Sequence, residues 1–218
     1  MKKLLCTTAV LAALTLSIPA QADSFNGPYL GVQLGHNNTK ADMQWGNING
    51  SGTDIGSDNG ASGLELGVVG GYRIRQDRFV FGVEVDGSFS NAKGTLLSYD
   101  DGVDAFSLDV EKHHSYAIGP RIGYLVTDNA LAYVGVDWTR GKFDATAIVN
   151  GVSSSDSESL NGIRFGGGME VAATKEISLR LDYQHTNWKE SSEADGGGGT
   201  FSLDPTEDTA RVGVVFSF

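Results

Sequence analysis

The residues best able to do chemistry in this sequence are acids and arginines set at alternate positions of apolar segments. They are Glu65, Arg73, Glu84, Asp86, Arg121, Asp137, Arg164, Glu170, Arg180, Asp182 and Arg211. Six acids nearly balance five bases, although the whole chain carries a formal charge of −11. Arg alone supplies the positive members, and its planar fork suits bidentate pairing with carboxylates. Two chemistries fit this set: a charged constriction that selects ions in a channel, or a paired network that fills a narrow barrel. The network fits better, because an eight-stranded interior is only wide enough for side chains to fill it.

Other candidate sites are sparser. His36, His113, His114 and His185 all fall at segment ends beside long polar stretches. They lack metal-ligand spacing, and the fourth segment would lie across a ring from the first and seventh. Interfacial rim positions account for them better than a metal site does. A hydrolytic His needs a hydroxyl nucleophile and an acid nearby, and His185-Thr186-Asn187 offers no Ser. No catalytic, metal-binding or cofactor-binding residue is therefore assigned, and the chain is read as a non-enzyme. Asp100, Asp101 and Asp104 form a weak oxygen-ligand cluster. Like the other acids of the polar stretches, they fit a solvated surface with no fixed partner.

The elements that must position these residues are strands. The chain has 218 residues with 30 Gly, 4 Pro and 1 Cys. One Cys excludes a disulfide framework, and the acidic balance argues against nucleic acid. No apolar run after the first 20 residues is long enough for a membrane helix. Period-two alternation instead recurs in eight segments, as in Leu64, Leu66, Val68 and Tyr72 against Glu65, Gly67, Val69 and Arg73. Short turns at 75–78, 126–129 and 173–176 alternate with polar, Gly- and Ser-rich stretches at 38–60, 91–110, 142–160 and 189–207, read as long loops. Gly196 to Gly199 make the tip of the last loop flexible.

The second set of each segment is too small and too polar for a soluble core, so the apolar set must face lipid. In lipid only helices and closed barrels satisfy the backbone. About ten alternating residues per strand span roughly 25 Å, the height of an outer-membrane apolar band. Tyr29, Tyr72, Phe79, Tyr124 and Phe216 fall near the turn ends, and Phe89, Tyr116, Trp138, Tyr183 and Trp188 near the loop ends, as two aromatic belts would. Pro120, inside the fourth segment, predicts a bulge or weakened pairing there.

The N-terminus carries a processing signal. Lys2 and Lys3 precede an apolar stretch from Leu4 to Ile18, and Ala20-Gln21-Ala22 is a small-x-small cleavage site. Residues 1–22 are expected to be cleaved, leaving 23–218 as one barrel domain with a charge of −13 and no thiol.

The mature start Asn26-Gly27-Pro28-Tyr29-Leu30-Gly31-Val32, the eight segments and the ending Ala210-Arg211-Val212-Gly213-Val214-Val215-Phe216-Ser217-Phe218 resemble small Gram-negative outer-membrane barrels. The porin-like, opacity-type eight-stranded barrels are most similar, with the OmpA membrane domain, OmpX and OmpW more distant. This resemblance implies an antiparallel up-and-down transmembrane β-barrel with short periplasmic turns and four long outer loops. It also implies that Phe216 and Phe218 form a terminal signal read by the barrel-assembly machinery. With the chain ending at Phe218, no periplasmic peptidoglycan-binding domain is expected to follow. Outer-membrane lipid is the expected surrounding, a monomer the expected state, and no surface ligand is identified. The expected role is structural or porin-like, with a charge-plugged or very narrow lumen. The alternatives are a surface adhesion protein acting through its outer loops, or a lipid-modifying enzyme. For the last, the His-x-Ser-Asn stretch of outer-membrane lipid A deacylases is matched only at His185 and Asn187.

Overall fold

The computed structural model describes residues 25–47, 53–54, 60–100, 105–189, 191–194 and 199–218. The expected leader at 1–22, Asp101 and Asp104, and Gly196 to Gly198 lie outside them.

Eleven strands form one antiparallel sheet: β1 Gly27–Asn47, β2 Thr53–Asp54, β3 Ala61–Gln76, β4 Phe79–Ser90, β5 Lys93–Asp100, β6 Ala105–Thr127, β7 Ala130–Val149, β8 Val152–Ala172, β9 Ile177–Trp188, β10 Ser191–Ala194 and β11 Gly199–Ser217. Three of them prolong others. β2 prolongs β3 alongside β1, β5 prolongs β4 beyond Asn91 and Ala92, and β10 prolongs β9 alongside β11. The ring thus has eight staves. It closes where β1 pairs with β11, from Tyr29 opposite Ser217 to Asn47 opposite Gly199. Closure leaves no edge strand in the spanning region.

The burial pattern is inverted relative to a water-soluble protein. Leu66, Val68, Tyr72, Phe81, Val134, Phe165 and Leu181 are exposed, whereas Glu65, Glu84, Asp182 and Arg180 are buried. A contiguous apolar exterior of this size belongs against lipid. The outward rings Tyr72, Phe79, Tyr124 and Phe216 mark one level, and Phe89, Tyr116, Trp138 and Tyr183 the other. Tyr29 and Trp188 depart from the expected belts. Each sits one residue out of phase with the outward set, so its ring points into the lumen, 6% and 5% exposed.

The expected long loops are corrected. β1 continues to Asn47, β5 and β10 occupy two of the polar stretches, and residues 142–160 are a hairpin. There β7 and β8 stay paired up to Val149 and Val152, joined by Asn150 and Gly151 with φ of 48° and 81°. Two consecutive positive φ values suit the right-handed twist of the strands, and Asn-Gly adopts them readily. The ladder continues because extended polar residues gain backbone partners that an irregular loop would lack.

Pro120 weakens pairing without a bulge. Ile118 opposite Trp138 and Arg121 opposite Gly135 keep one register, while Gly119 and Pro120 have no ladder partner on β7. A Cβ at Gly119 would meet the Val136 carbonyl oxygen at 2.0 Å, so only glycine allows this approach. True register shifts on β6 fall elsewhere, between Lys112 and His114 and between Leu125 and Thr127.

Candidate functional site: the ionic lumen

The side chains that alternate against the lipid-facing set converge on the barrel axis. Near the turn end, Arg73 donates both ways to Glu170 at 3.0 and 3.1 Å and to Ser217 Oγ at 2.8 Å. Its guanidinium lies 5.2 Å from the centre of the Phe25 ring and 4.6 Å from that of Tyr29. Phe25, before β1, packs with Val80, Leu125, Leu131 and Tyr133 in an apolar cluster at this end.

The middle layer centres on Glu84. Arg180 contacts its two oxygens at 2.6 and 3.1 Å, Tyr29 donates its hydroxyl at 2.7 Å, and Arg121 pairs with it from β6. Arg180 also holds Asp182 at 2.8 and 3.1 Å. Asp182 further accepts from Tyr133 and Gln33. Small residues make this crowding feasible. A Cβ at Gly71 would lie 2.6 Å from the Tyr29 hydroxyl, and one at Gly168 would lie 2.6 Å from that of Tyr133.

The outer layer is a chain of alternating charge. Arg164 links Asp137 and Asp86, each at 2.9 Å. Asp86 accepts from Arg211 at 2.7 Å, and Arg211 also pairs with Glu65. Lys112 then joins Glu65 at 3.1 Å to Glu207 at 2.6 Å. Above it Trp188 and Phe143 pack edge to face at 5.1 Å, with the Lys112 ammonium 5.8 Å from the Trp188 ring. Between the layers a cavity of about 30 Å³ remains, lined by Tyr29, Arg73, Glu84, Arg121 and Arg180 among others. That is room for about one water molecule.

All eleven charged residues singled out in the sequence lie in this lumen. Lys112 and Glu207 were not among them. Arg therefore does not supply every cation. Lys112 is hidden by the bulge after it, which reverses the phase between it and Ser115. Glu207 is in phase with Thr209 and Arg211, so extending that alternation would have reached it.

The histidines sit apart from the lumen. His113 Nε2 contacts Asp144 at 2.6 Å, and His185 Nδ1 contacts Asp208 at 2.8 Å. Asp144 also accepts from Ser157 Oγ at 2.6 Å; these partners, the Ser157 hydroxyl first, hold its carboxyl below the usual carboxylate range. Thr186 is buried, on the face opposite His185. Phe216 faces outward, and the Phe218 N–H donates to the Pro28 carbonyl at 3.0 Å.

A closed eight-stave ring with an apolar exterior and a buried salt-bridge network is an integral membrane barrel of the bacterial outer envelope. The chain belongs to the outer membrane protein beta-barrel domain family, whose model matches residues 8–218. It is 29% identical over 177 residues to the 22 kDa outer membrane protein of Rhizobium leguminosarum bv. viciae, covering 78% of this chain and 76% of that one. It is 28% identical over 161 residues to outer membrane protein A of Klebsiella pneumoniae, covering 71% of this chain and 41% of that one. The match thus spans less than half of that relative. The outer membrane protein OprG from Pseudomonas aeruginosa shares the fold, with a TM-score of 0.52 at 13% identity over 90% of this chain and 98% of that one. The protein is an integral outer-membrane β-barrel of Gram-negative bacteria.

Proposed function

We propose that the protein is a non-conducting structural barrel whose lumen is plugged by its own ions. The carrying observation is the unbroken chain Asp137–Arg164–Asp86–Arg211–Glu65–Lys112–Glu207 across the interior. Phe25 stands at one mouth and Trp188 at the other, each buried. Opening a path would separate buried charges from their partners, which is costly. A non-catalytic role fits the rim, where His185 Nε2 contacts Asn187 Oδ1 at 3.2 Å rather than a hydroxyl. The test is ion and sugar flux into proteoliposomes. Impermeability matching protein-free vesicles supports the plug, and swelling in small sugars overturns it.

The outer extension favours a second role, surface interaction. The β7–β8 hairpin continues beyond the last β8–β9 pair, Gly162 with Trp188, and its β8 residues from 152 to 159 are all exposed. Exchanging residues 143–159 for a short turn should abolish any binding to host cells or matrix while the barrel still assembles. Binding that survives the exchange removes this role from the hairpin.

A further inference from the structure

Phe25 and Asn26 precede β1 and belong to no strand, yet the Phe25 ring is fully buried. Its apolar neighbours are Val80 on β4, Leu125 on β6, and Leu131 and Tyr133 on β7, with Ala172 of β8 packed beside them. In ring order β7 stands four staves from β1 in either direction, so it forms the opposite wall. A side chain rooted at the start of β1 therefore packs against the far side of the barrel.

The backbone is shaped to hold this crossing. Asn26 Oδ1 accepts the Arg75 N–H at 3.1 Å, which ties the segment to β3. Gly27 bends the chain with φ of 99°, a conformation that glycine adopts without strain. A Cβ at Gly27 would also lie 2.9 Å from the Phe218 carbonyl oxygen. One residue on, the Pro28 carbonyl accepts the Phe218 N–H at 3.0 Å, so the bend is built on the β1–β11 seam.

The ring covers the turn-end side of the lumen cavity. Val80, Leu131 and Tyr133 share its cluster, and the Arg73 guanidinium lies 5.2 Å from its centre. The same four residues line the cavity of about 30 Å³, beside Glu84 and Glu170. No residue of the ionic chain from Asp137 to Glu207 lines that cavity. The outer ions and the Phe25 ring thus stand in series along the axis. An aromatic ring in this place keeps water from the ions behind it, and charges attract more strongly where water is excluded.

We propose that Phe25, held by Asn26 and Gly27, is a tethered stopper that governs entry of water and small solutes into the turn end of the lumen. Packed in, it covers the cavity and the Arg73–Glu170 pair; swung out about the Gly27 bend, it uncovers both. The proposal rests on the plugged-barrel reading, in which the ions close the lumen further out, and adds a second, movable barrier to it.

The test uses residues 23–218 folded in maltoside micelles, a chain without Cys, so one introduced thiol reports alone. Val80→Cys places a thiol under the Phe25 ring, Ser115→Cys one in the buried outer layer, and Asp128→Cys one on an exposed turn. Each is made with Phe25 intact and with Phe25→Ala, and gel mobility before and after boiling establishes that each is folded. The readout is the rate of modification by hydroxyethyl methanethiosulfonate, a small neutral reagent. With Phe25 intact, the Val80→Cys thiol should react slowly. Phe25→Ala should speed it at least about tenfold, as a local opening made easier would, and leave the Ser115→Cys and Asp128→Cys rates unchanged. Equal Val80→Cys rates with and without the ring overturn the proposal. So does a matching acceleration at Ser115→Cys, which would make Phe25 a support of the whole fold rather than a stopper. Labelling reads access at the turn end and bilayer conductance reads the whole path, so the stopper and the ionic plug fail in different measurements.

Discussion

Arg164 Nε lies 2.9 Å from Asp137 Oδ2 on the adjacent strand, and the same guanidinium reaches Asp86 on the far side of the lumen, also at 2.9 Å. All three side chains are buried. One arginine therefore ties β8 to β7 and to β4 across the barrel.

Arg164→Ala leaves Asp137 without its cation. Breaking one partner out of a buried pair costs about 3–5 kcal/mol, so unfolding in urea should shift to clearly lower concentrations. Val136→Leu, on the lipid face next to Asp137, should change the midpoint little. Equal midpoints for Arg164→Ala and wild type would mean that water already screens these ions.

Among the described residues, Lys112 is the one cation on Glu207, which also accepts from the hydroxyls of Thr39 and Thr209 at 3.2 and 3.3 Å. Lys112→Met should destabilise by about 3–5 kcal/mol. Adding Glu207→Gln should recover part of that loss, a coupling that a double-mutant cycle measures directly. Strict additivity would show that the pair does not interact.

These two residues also mark what the sequence could and could not convey. Arg164 and Asp137 are readable as inward because alternation fixes phase along β7 and β8, and no bulge interrupts it there. Lys112 is not readable, because a bulge reverses phase where no Gly or Pro announces it. Their level along the strand suggests belt positions for Tyr29 and Trp188. Phase decides their direction instead: each is out of step with outward Leu30 and Asn187. The β7–β8 hairpin was legible in principle, since Asn150-Gly151 is the sequence of a tight turn. Its polar, Ser-rich flanks outweighed that signal and suggested a loop.

Phe216 stands on the outer wall opposite Leu30 and Ile177 in the ladder, and Phe218 completes the β1 seam at Pro28. Deleting Phe218 should slow insertion and leave periplasmic aggregates. Outer-membrane levels equal to wild type by fractionation would reject a role in assembly.

The hairpin beyond the membrane should be acid-sensitive. The Asp144 carboxyl is held below its ordinary range by Ser157 and His113. Its contribution is therefore complete above the unfolded pKa and lost as pH falls through the lower folded value. Amide exchange in residues 143–158 should accelerate as pH is lowered below the ordinary carboxylate range, after correction for intrinsic rates. Asp144→Asn should remove that acceleration, and an unchanged profile in the variant would assign it to other groups.

Single-molecule recording in planar bilayers tests most directly whether the salt bridges of this lumen close it. Wild-type barrels, shown to be inserted by their heat-modifiable mobility, should give no stepwise current at physiological salt. Discrete, ion-selective steps from the wild-type protein, with Arg164→Ala altering selectivity but not stability, would contradict a plugged barrel and make the same residues the filter of a working channel.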